Sequence, residues 1–385
     1  MVDIKNSEPC LCGSGKKFKS CCKGKIHRQD SVYGDEILQN ANRINHILQK
    51  KIKSTDYKIC MHPDKKQCKM PIKNAHTLQN NGVLSIIAED NHVMVNSLLN
   101  KVRDGFVTHR VSKNDATTFY GFCEYHDSAI FKEIETIPYS KQVKQNFLYA
   151  YRDCAQEYHK KTRMMKAIQG CFKDNPSLLK MNGFIENYKS LMLSYSDVKK
   201  CIDIFNDSFI TGNFDILESY VFEFEMMYDF AVTTMFNPVY DLNGRQLNDI
   251  YSTNEERLKC VFLSVFPTEK NFYMILSCLK DDYEHFESYF DQIKELNENN
   301  LIIFLNNLLP TFSENIILSP RLWDKWTPFS KREFEKVITG GIGEFDKLLS
   351  GGWPYNSDEE FINSMQVKNG MNDMMKIQKY NLFKL

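Results

Sequence analysis

The sequence predicts an α+β protein in which an antiparallel sheet flanked by helices stands beside a helical region and small cysteine-rich units. Three observations carry that expectation. Cysteines and histidines gather in two groups within the first 126 residues. From Asp127 to about Lys200, apolar residues return at three- and four-residue steps with few breakers, the period of helices. From 218 to 280 the chain is rich in Val, Phe, Tyr and Ile between turn residues, which marks strands.

Composition sets the limits. Hydrophobic residues make up 42% and charged residues 25%, which excludes wholesale disorder, and 385 residues suffice for two or three domains. Pattern changes divide the chain into 1–28, a linker helix over 29–56, a second cysteine unit over 57–136, a helical region over 137–212, an α+β domain over 213–350 and a tail over 351–385. Net charge is zero, so the whole molecule is no polycation, yet residues 1–70 hold fifteen Lys and Arg against seven Asp and Glu. A polyanion therefore meets the N-terminal end first. The longest apolar runs, such as "LIIFLNNLL" at 301–309, are shorter than the ~18 residues of a membrane span, and residues 1–8 are polar. A cytoplasmic protein with no membrane partner is expected, its twelve cysteines serving as metal ligands and buried thiols.

The first cysteine group is "PCLCGSGKKFKSCCKGK", residues 9–25. Cys10, Cys12, Cys21 and Cys22 supply the four thiolates of a closed structural Zn²⁺ site. Gly13 and Gly15 permit the tight turns, Lys16, Lys17 and Lys19 offset the charge of a four-thiolate centre, and Phe18 gives the unit its one large apolar contact. These residues closely resemble the SEC-C motif, the zinc-binding tail of the protein-translocation ATPase SecA, with the four cysteines on its ligand positions. Cys22 stands where a histidine is common. The resemblance covers about twenty residues and implies an accessory docking module. Four protein ligands leave no open position for chemistry, so the knuckle presents a basic surface from Lys16 to Arg28. A nucleic acid, a ribosome or an acidic protein surface would each suit it.

The next element is an amphipathic helix from Asp35 to Lys53, where Ile37, Leu38, Ala41, Ile44, Ile47, Leu48 and Ile52 share one face. Beyond it, Cys60 and Cys68 bracket a turn with His62, Pro63 and Asp64, and Cys123 and His126 form a C-x-x-H pair at a helix start. A knuckle pair joined to a pair on an opening helical turn is the arrangement of a treble-clef zinc site. The expected second Zn²⁺ set is Cys60, Cys68, Cys123 and His126, with His62 or His76 as replacements for one member.

His76, in "NAHTL", poses the question of chemistry. It follows the first pair at the distance at which HNH-type nucleases carry their general base, and Cys123-x-x-His126-Asp127 is similar to the end of their motif. That resemblance implies that His76 is the base that activates water, Asn114 positions that base and Asp127 helps hold Mg²⁺ against a phosphate. Asn74 and Ala75 replace the usual acidic or histidine start, and Asp127 replaces the final histidine. The alternative is a structural histidine bonded to a backbone carbonyl or to zinc. The same stretch also resembles a set of bacterial proteins that share an AHT-x-Q block, an F-C-x-x-H-D block and a following long helix, with likeness extending to "NPVYDLNGRQLNDIY" and "ENIILSPRLWDKW". That set has no activity to transfer and implies architecture alone.

Further on, Ile130, Phe131, Ile134, Phe147, Leu148, Tyr151, Cys154 and Tyr158 mark helices, with Cys154, Cys171 and Cys201 as packed thiols. "YVFEFEMMYDFAVTTMF", "RLKCVFLSVF" and "NFYMILSCL" read as an antiparallel meander with a turn at "DLNG". Helices follow from Asp282 to Leu296 and at "NLIIFLNNLL". "TGGIGEF", residues 339–345, reads as a surface turn, and 351–385 as a loosely attached terminus. The expected function is that of a zinc-binding protein docked through its knuckle, in stress response or in defence against foreign genetic elements. The competing expectation is an HNH-like nuclease acting through His76 and Asp127.

Overall fold

The structure, a computed structural model, describes residues 4–26, 41–69, 71–96, 106–249, 257–313, 315–349 and 374–384. Its contacts separate two compact units. The first comprises Met1–Tyr57, Tyr158–Val198 and Gly340–Phe361, and the second Lys58–Glu157, Lys199–Thr339 and Ile362–Leu385. No helix among the described residues is long and apolar enough to cross a membrane.

In the first unit, α1 (Ala41–Ser54) buries Ile44, Leu48 and Ile52, one per turn, as its four-residue spacing requires. Ile37 and Leu38, expected on the same helix, lie outside the described residues. The unit also takes the second part of α3 (Val143–Asp174) and the first part of α4 (Asn182–Thr211). Phe172 packs edge-on against Phe184 and Tyr188, at 5.3 and 5.4 Å. Arg163 donates to the Ile52 and Thr55 carbonyls at 2.9 and 3.2 Å, satisfying acceptors that the end of α1 leaves open.

The second unit holds two sheets. One pairs β1 (Ile72–His76) with β4 (Thr118–Cys123), antiparallel. The other runs β3 (Thr108–Ser112), β2 (His92–Asn96), β9 (Ile316–Leu318), β6 (Phe230–Phe236), β7 (Val261–Pro267), β8 (Phe272–Leu279) and β5 (Leu217–Phe224). All its pairings are antiparallel. Every residue of β7 and β8 is buried, because both faces of the sheet are covered. On one face Leu263, Val265, Met274 and Leu276 join a core with α5 (Tyr283–Lys294) and α6 (Glu298–Phe312). On the other, Phe266 stacks on Tyr149 at 4.6 Å and Phe262 meets Phe205 at 5.3 Å, from α3 and α4.

Three expectations change. The strands of 218–280 do not form a simple meander: β7 and β8 make the expected hairpin, but β5 pairs with β8 over eight residue pairs and is separated from β6. Strand pattern identifies strands, whereas their order depends on non-local pairing. The sheet also draws β2 and β3 from the second cysteine stretch. "TGGIGEF" lies inside α7 (Pro328–Leu349), where flanking helix-forming residues carry the glycines at about 1 kcal/mol each. Finally, residues 374–384 of the expected loose terminus are packed, while 351–373 lie outside the described residues. Tyr380, Leu382 and Phe383 are buried in the main core, and Asn306 reads the backbone there by accepting from Leu382 N at 2.8 Å and donating to the Tyr380 carbonyl at 3.2 Å. Asn307 donates to the Met374 and Lys376 carbonyls at 3.0 and 2.9 Å, while Trp326 donates to that of Asn381 at 3.2 Å. Two asparagines on a helix whose other buried residues are all apolar are thereby satisfied.

Candidate metal centres

The first group is built within a few turns of chain. Pro9 and Lys17 bridge, Cys10 N donates to Lys16 O at 2.8 Å, and Phe18 N donates to Glu8 O at 2.9 Å, closing a small hairpin. Gly13 and Gly15 sit at its tip with φ of 72° and 71°, the left-handed region that favours glycine. A short 3-10 turn, Phe18–Ser20, then delivers Cys21 and Cys22. The four Sγ atoms lie within 4.8 Å of one another. A tetrahedral ion bound at ~2.3 Å to sulfur sets S···S edges of roughly 3.8 Å. Cys12–Cys21 and Cys21–Cys22 separations of 3.5 and 3.9 Å fit that frame. Burial pushes the Cys10 and Cys22 thiols up. Burial acts the same way on Cys12, but hydrogen bonds led by the Ser14 hydroxyl outweigh it and bring that thiol down to about 7. Cys12 is thus the thiol readiest to ionise, while the raised Cys10 and Cys22 would give up their protons only on coordination to a cation.

The second group is assembled across more than sixty residues. Ile59 N and Met61 N donate to Tyr120 O and Gly121 O at 3.2 and 2.9 Å, pinning Cys60 beside β4. Asp64 accepts from Lys66 N at 3.0 Å and caps the 3-10 turn Lys65–Gln67 that presents Cys68. Cys123 ends β4 and is the N-cap of α2 (Glu124–Glu135), which places His126 on its first turn. His126 Nδ1 then stands 3.3 Å from Cys60 Sγ, 3.7 Å from Cys68 Sγ and 3.3 Å from Cys123 Sγ. One imidazole nitrogen facing three sulfurs at near-tetrahedral edges can hold a metal ion, and all four ligand atoms lie within 4.8 Å. Burial raises Cys60 to about 12. At Cys123 burial also raises, but backbone N–H groups of the helix start, led by His126, and of Lys69 outweigh it and lower the thiol. Helix-start amides aimed at a thiolate prepare it for a cation.

The surrounding side chains have other work. His62 stacks on the His126 ring at 4.0 Å and lies outside the converging set. His76, on β1, places Nδ1 3.0 Å from the Ala116 carbonyl and is half-buried, with burial lowering its pKa. Asp127 is half-buried on the first turn of α2, where a carboxylate complements the helix dipole. The exposed Asn114 accepts from Asn80 at 2.9 Å. Among the described residues, no group of three potential metal ligands includes His76 or Asp127.

Sequence reasoning left one residue out of the site. Thr117, a β-branched residue at φ 59°, holds the turn whose Ala116 carbonyl meets His76. No local sequence signal marks a threonine for that conformation.

A family model for the SEC-C motif matches residues 7–23. No curated protein and no solved structure matches the chain. The SEC-C match falls on the knuckle alone and is what the first four-cysteine group is similar to.

Proposed function

We propose that this chain is a two-zinc protein whose SEC-C-like knuckle is a rigid basic handle and whose second zinc ties a treble-clef-like unit into the α+β body. The observation that carries the reading is the ligand chemistry of the two sets. Seven thiolates and one imidazole, in two closed groups of four, match zinc's preferred donors and leave no coordination position for substrate. Around the second set, the order of the segment at Cys60, the non-consecutive antiparallel pair β1–β4 and the helix that begins at Cys123 supports a treble-clef-like unit. The handle docks the body to an acidic partner, in stress response or in defence against foreign genetic elements. Elemental analysis of the purified chain tests the zinc assignment. Two zinc ions per chain are expected, and one or none would overturn it.

A second reading keeps His76 as the general base of an HNH-like, Mg²⁺-dependent nuclease, with Asp127 helping to hold the metal. One observation favours it: with Nδ1–H donated to the Ala116 carbonyl, Nε2 is the acceptor, the tautomer that a base requires. This reading predicts divalent-metal cleavage of DNA or RNA that disappears in His76→Ala while both zinc ions stay. Cleavage that survives the substitution, or none in the wild type, removes it.

A further inference from the structure

The knuckle's surface chemistry narrows its partner, and the inference rests on the handle reading above. Lys16, Lys17, Lys19 and Lys25 are exposed, and among the described residues none is paired with a carboxylate. Residues 4–26 hold six lysines against Glu8 alone. An ion held by four thiolates adds about two negative charges in the interior, which leaves the unit near +3. The backbone behind these lysines is fixed: the carbonyl of Lys16 accepts from Cys10 N, and that of Lys17 from Ser20 N and Ser20 Oγ.

What the surface lacks is equally informative. Phe18 is buried, and no large apolar side chain among the described knuckle residues is exposed. Protein interfaces centre on aromatic, Met and Arg side chains and are poor in lysine, so this face is ill suited to a protein partner. Single-stranded nucleic acid is held by stacking on exposed aromatics, and that platform is missing too. Most side-chain groups able to bond a ribose 2′-hydroxyl are already engaged, the exposed Ser7 hydroxyl excepted. Ser14 Oγ meets Cys21 Sγ at 3.2 Å and accepts from Lys16 N at 3.3 Å, Ser20 Oγ donates to Lys17 O at 3.1 Å, and Asn6 accepts from Lys23 Nζ at 2.8 Å.

We infer that the knuckle binds the phosphate backbone of double-stranded DNA, without sequence preference, through Lys16, Lys17, Lys19 and Lys25. The attraction is release of condensed counterions, so the four lysines set a log–log salt slope of about −3.6 and a loss of affinity of about 10²-fold between 50 and 200 mM salt. The charge of the first unit works in the same direction. Its stretches hold nineteen Lys and Arg against fourteen Asp and Glu, while the second unit holds thirty against thirty-five.

The test is fluorescence anisotropy of the full, zinc-loaded chain on two unrelated 25-base-pair DNA duplexes, the matching single strand, an RNA duplex and poly-glutamate as competitor. Equal affinity for the two DNA duplexes is expected, together with weaker binding of the single strand, no gain for RNA and the stated slope. Lys16→Gln with Lys17→Gln and Lys19→Gln should flatten the slope by about 3 while zinc stays at two per chain. Unchanged binding in that variant would overturn the inference. So would a flat salt response, tighter binding of the single strand or of RNA, or displacement by poly-glutamate at equal charge. If the wild type fails to bind DNA yet carries two zinc ions, the inference alone falls. If zinc itself is missing, the handle reading falls with it.

Discussion

The two candidate metal centres differ in how far the chain travels to build them. The first takes its ligands from Cys10 to Cys22, on one hairpin and one short turn. The second gathers Cys60, Cys68, Cys123 and His126 from a loop, a strand end and a helix start. A centre built from local chain closes a small loop; here its contact beyond that loop is with one helix of its own unit, where Cys22 Sγ lies 4.0 Å from the Phe172 carbonyl. A centre built from distant segments fixes their packing, and its surroundings show this: Phe122, beside Cys123, is fully buried and meets Phe131 and Tyr151 at 5.1 and 5.7 Å. On this account the knuckle is an attachment, and the second centre is part of the core.

The largest effect that can break this contrast is loss of a distant ligand. Structural zinc supplies about 10–16 kcal/mol of folding free energy in small zinc units, comparable with the whole stability of a domain. Cys123→Ser should therefore abolish the cooperative unfolding transition of the second unit in calorimetry. A variant that keeps the transition would make the second centre ornamental.

Removal of residues 374–385 tests a second long-range closure in the same unit. It exposes the groove that holds Leu382 and Phe383, leaves Asn306 without its partners at Tyr380 and Leu382 and strips Asn307 of those at Met374 and Lys376, at a cost of about 3–6 kcal/mol. Denaturant unfolding would register the loss. A midpoint unchanged from wild type would restore the loosely attached tail.

A smaller, pH-dependent effect comes from Asp153, where burial holds the carboxyl well above its usual range, and Ser264 donates to it at 3.3 Å. A raised folded pKa means that the unfolded chain ionises first. Stability from this group is whole below about pH 4 and is lost as pH rises toward the folded value. Asp153→Asn should thus gain on the wild type as pH increases from 4 to 8. A constant difference across that range would contradict the buried, neutral carboxyl.

The smallest effect is local, at the turn beside His76. Thr117→Gly relieves the left-handed backbone and removes a buried, unpartnered hydroxyl, for a gain of up to about 1 kcal/mol. A loss of stability would show that the side chain packs well enough to offset the strain.

How legible each region was follows the same division between local and distant. Cys10, Cys12, Cys21 and Cys22, with Gly13 and Gly15 at positive φ, could be read directly because spacing and turn chemistry lie in one short string. Cys60, Cys68, Cys123 and His126 were also expected as one set from the two split pairs, and their ligand atoms do converge; what the sequence did not carry is the strand pairing that brings 59–61 against β4. Helices with an apolar period, such as α3 and α5, were readable for the same reason as the knuckle. The partner of β5, the recruitment of β2 and β3 and the docking of Phe383 are set by contacts between residues far apart in sequence, which no local pattern carries. "TGGIGEF" misled because glycine content weakens a helix by an amount that its flanks outweigh.

The most direct test of the account is zinc content measured together with thermal unfolding in two variants, Cys12→Ser/Cys22→Ser and Cys60→Ser/Cys123→Ser. The first should carry one zinc and leave the unfolding of the second unit within roughly 0.5 kcal/mol of wild type, as expected for an independent site. The second should lose the cooperative transition. If the first variant loses both ions, or the second keeps the native transition, the division into an attached handle and a core-forming centre is wrong.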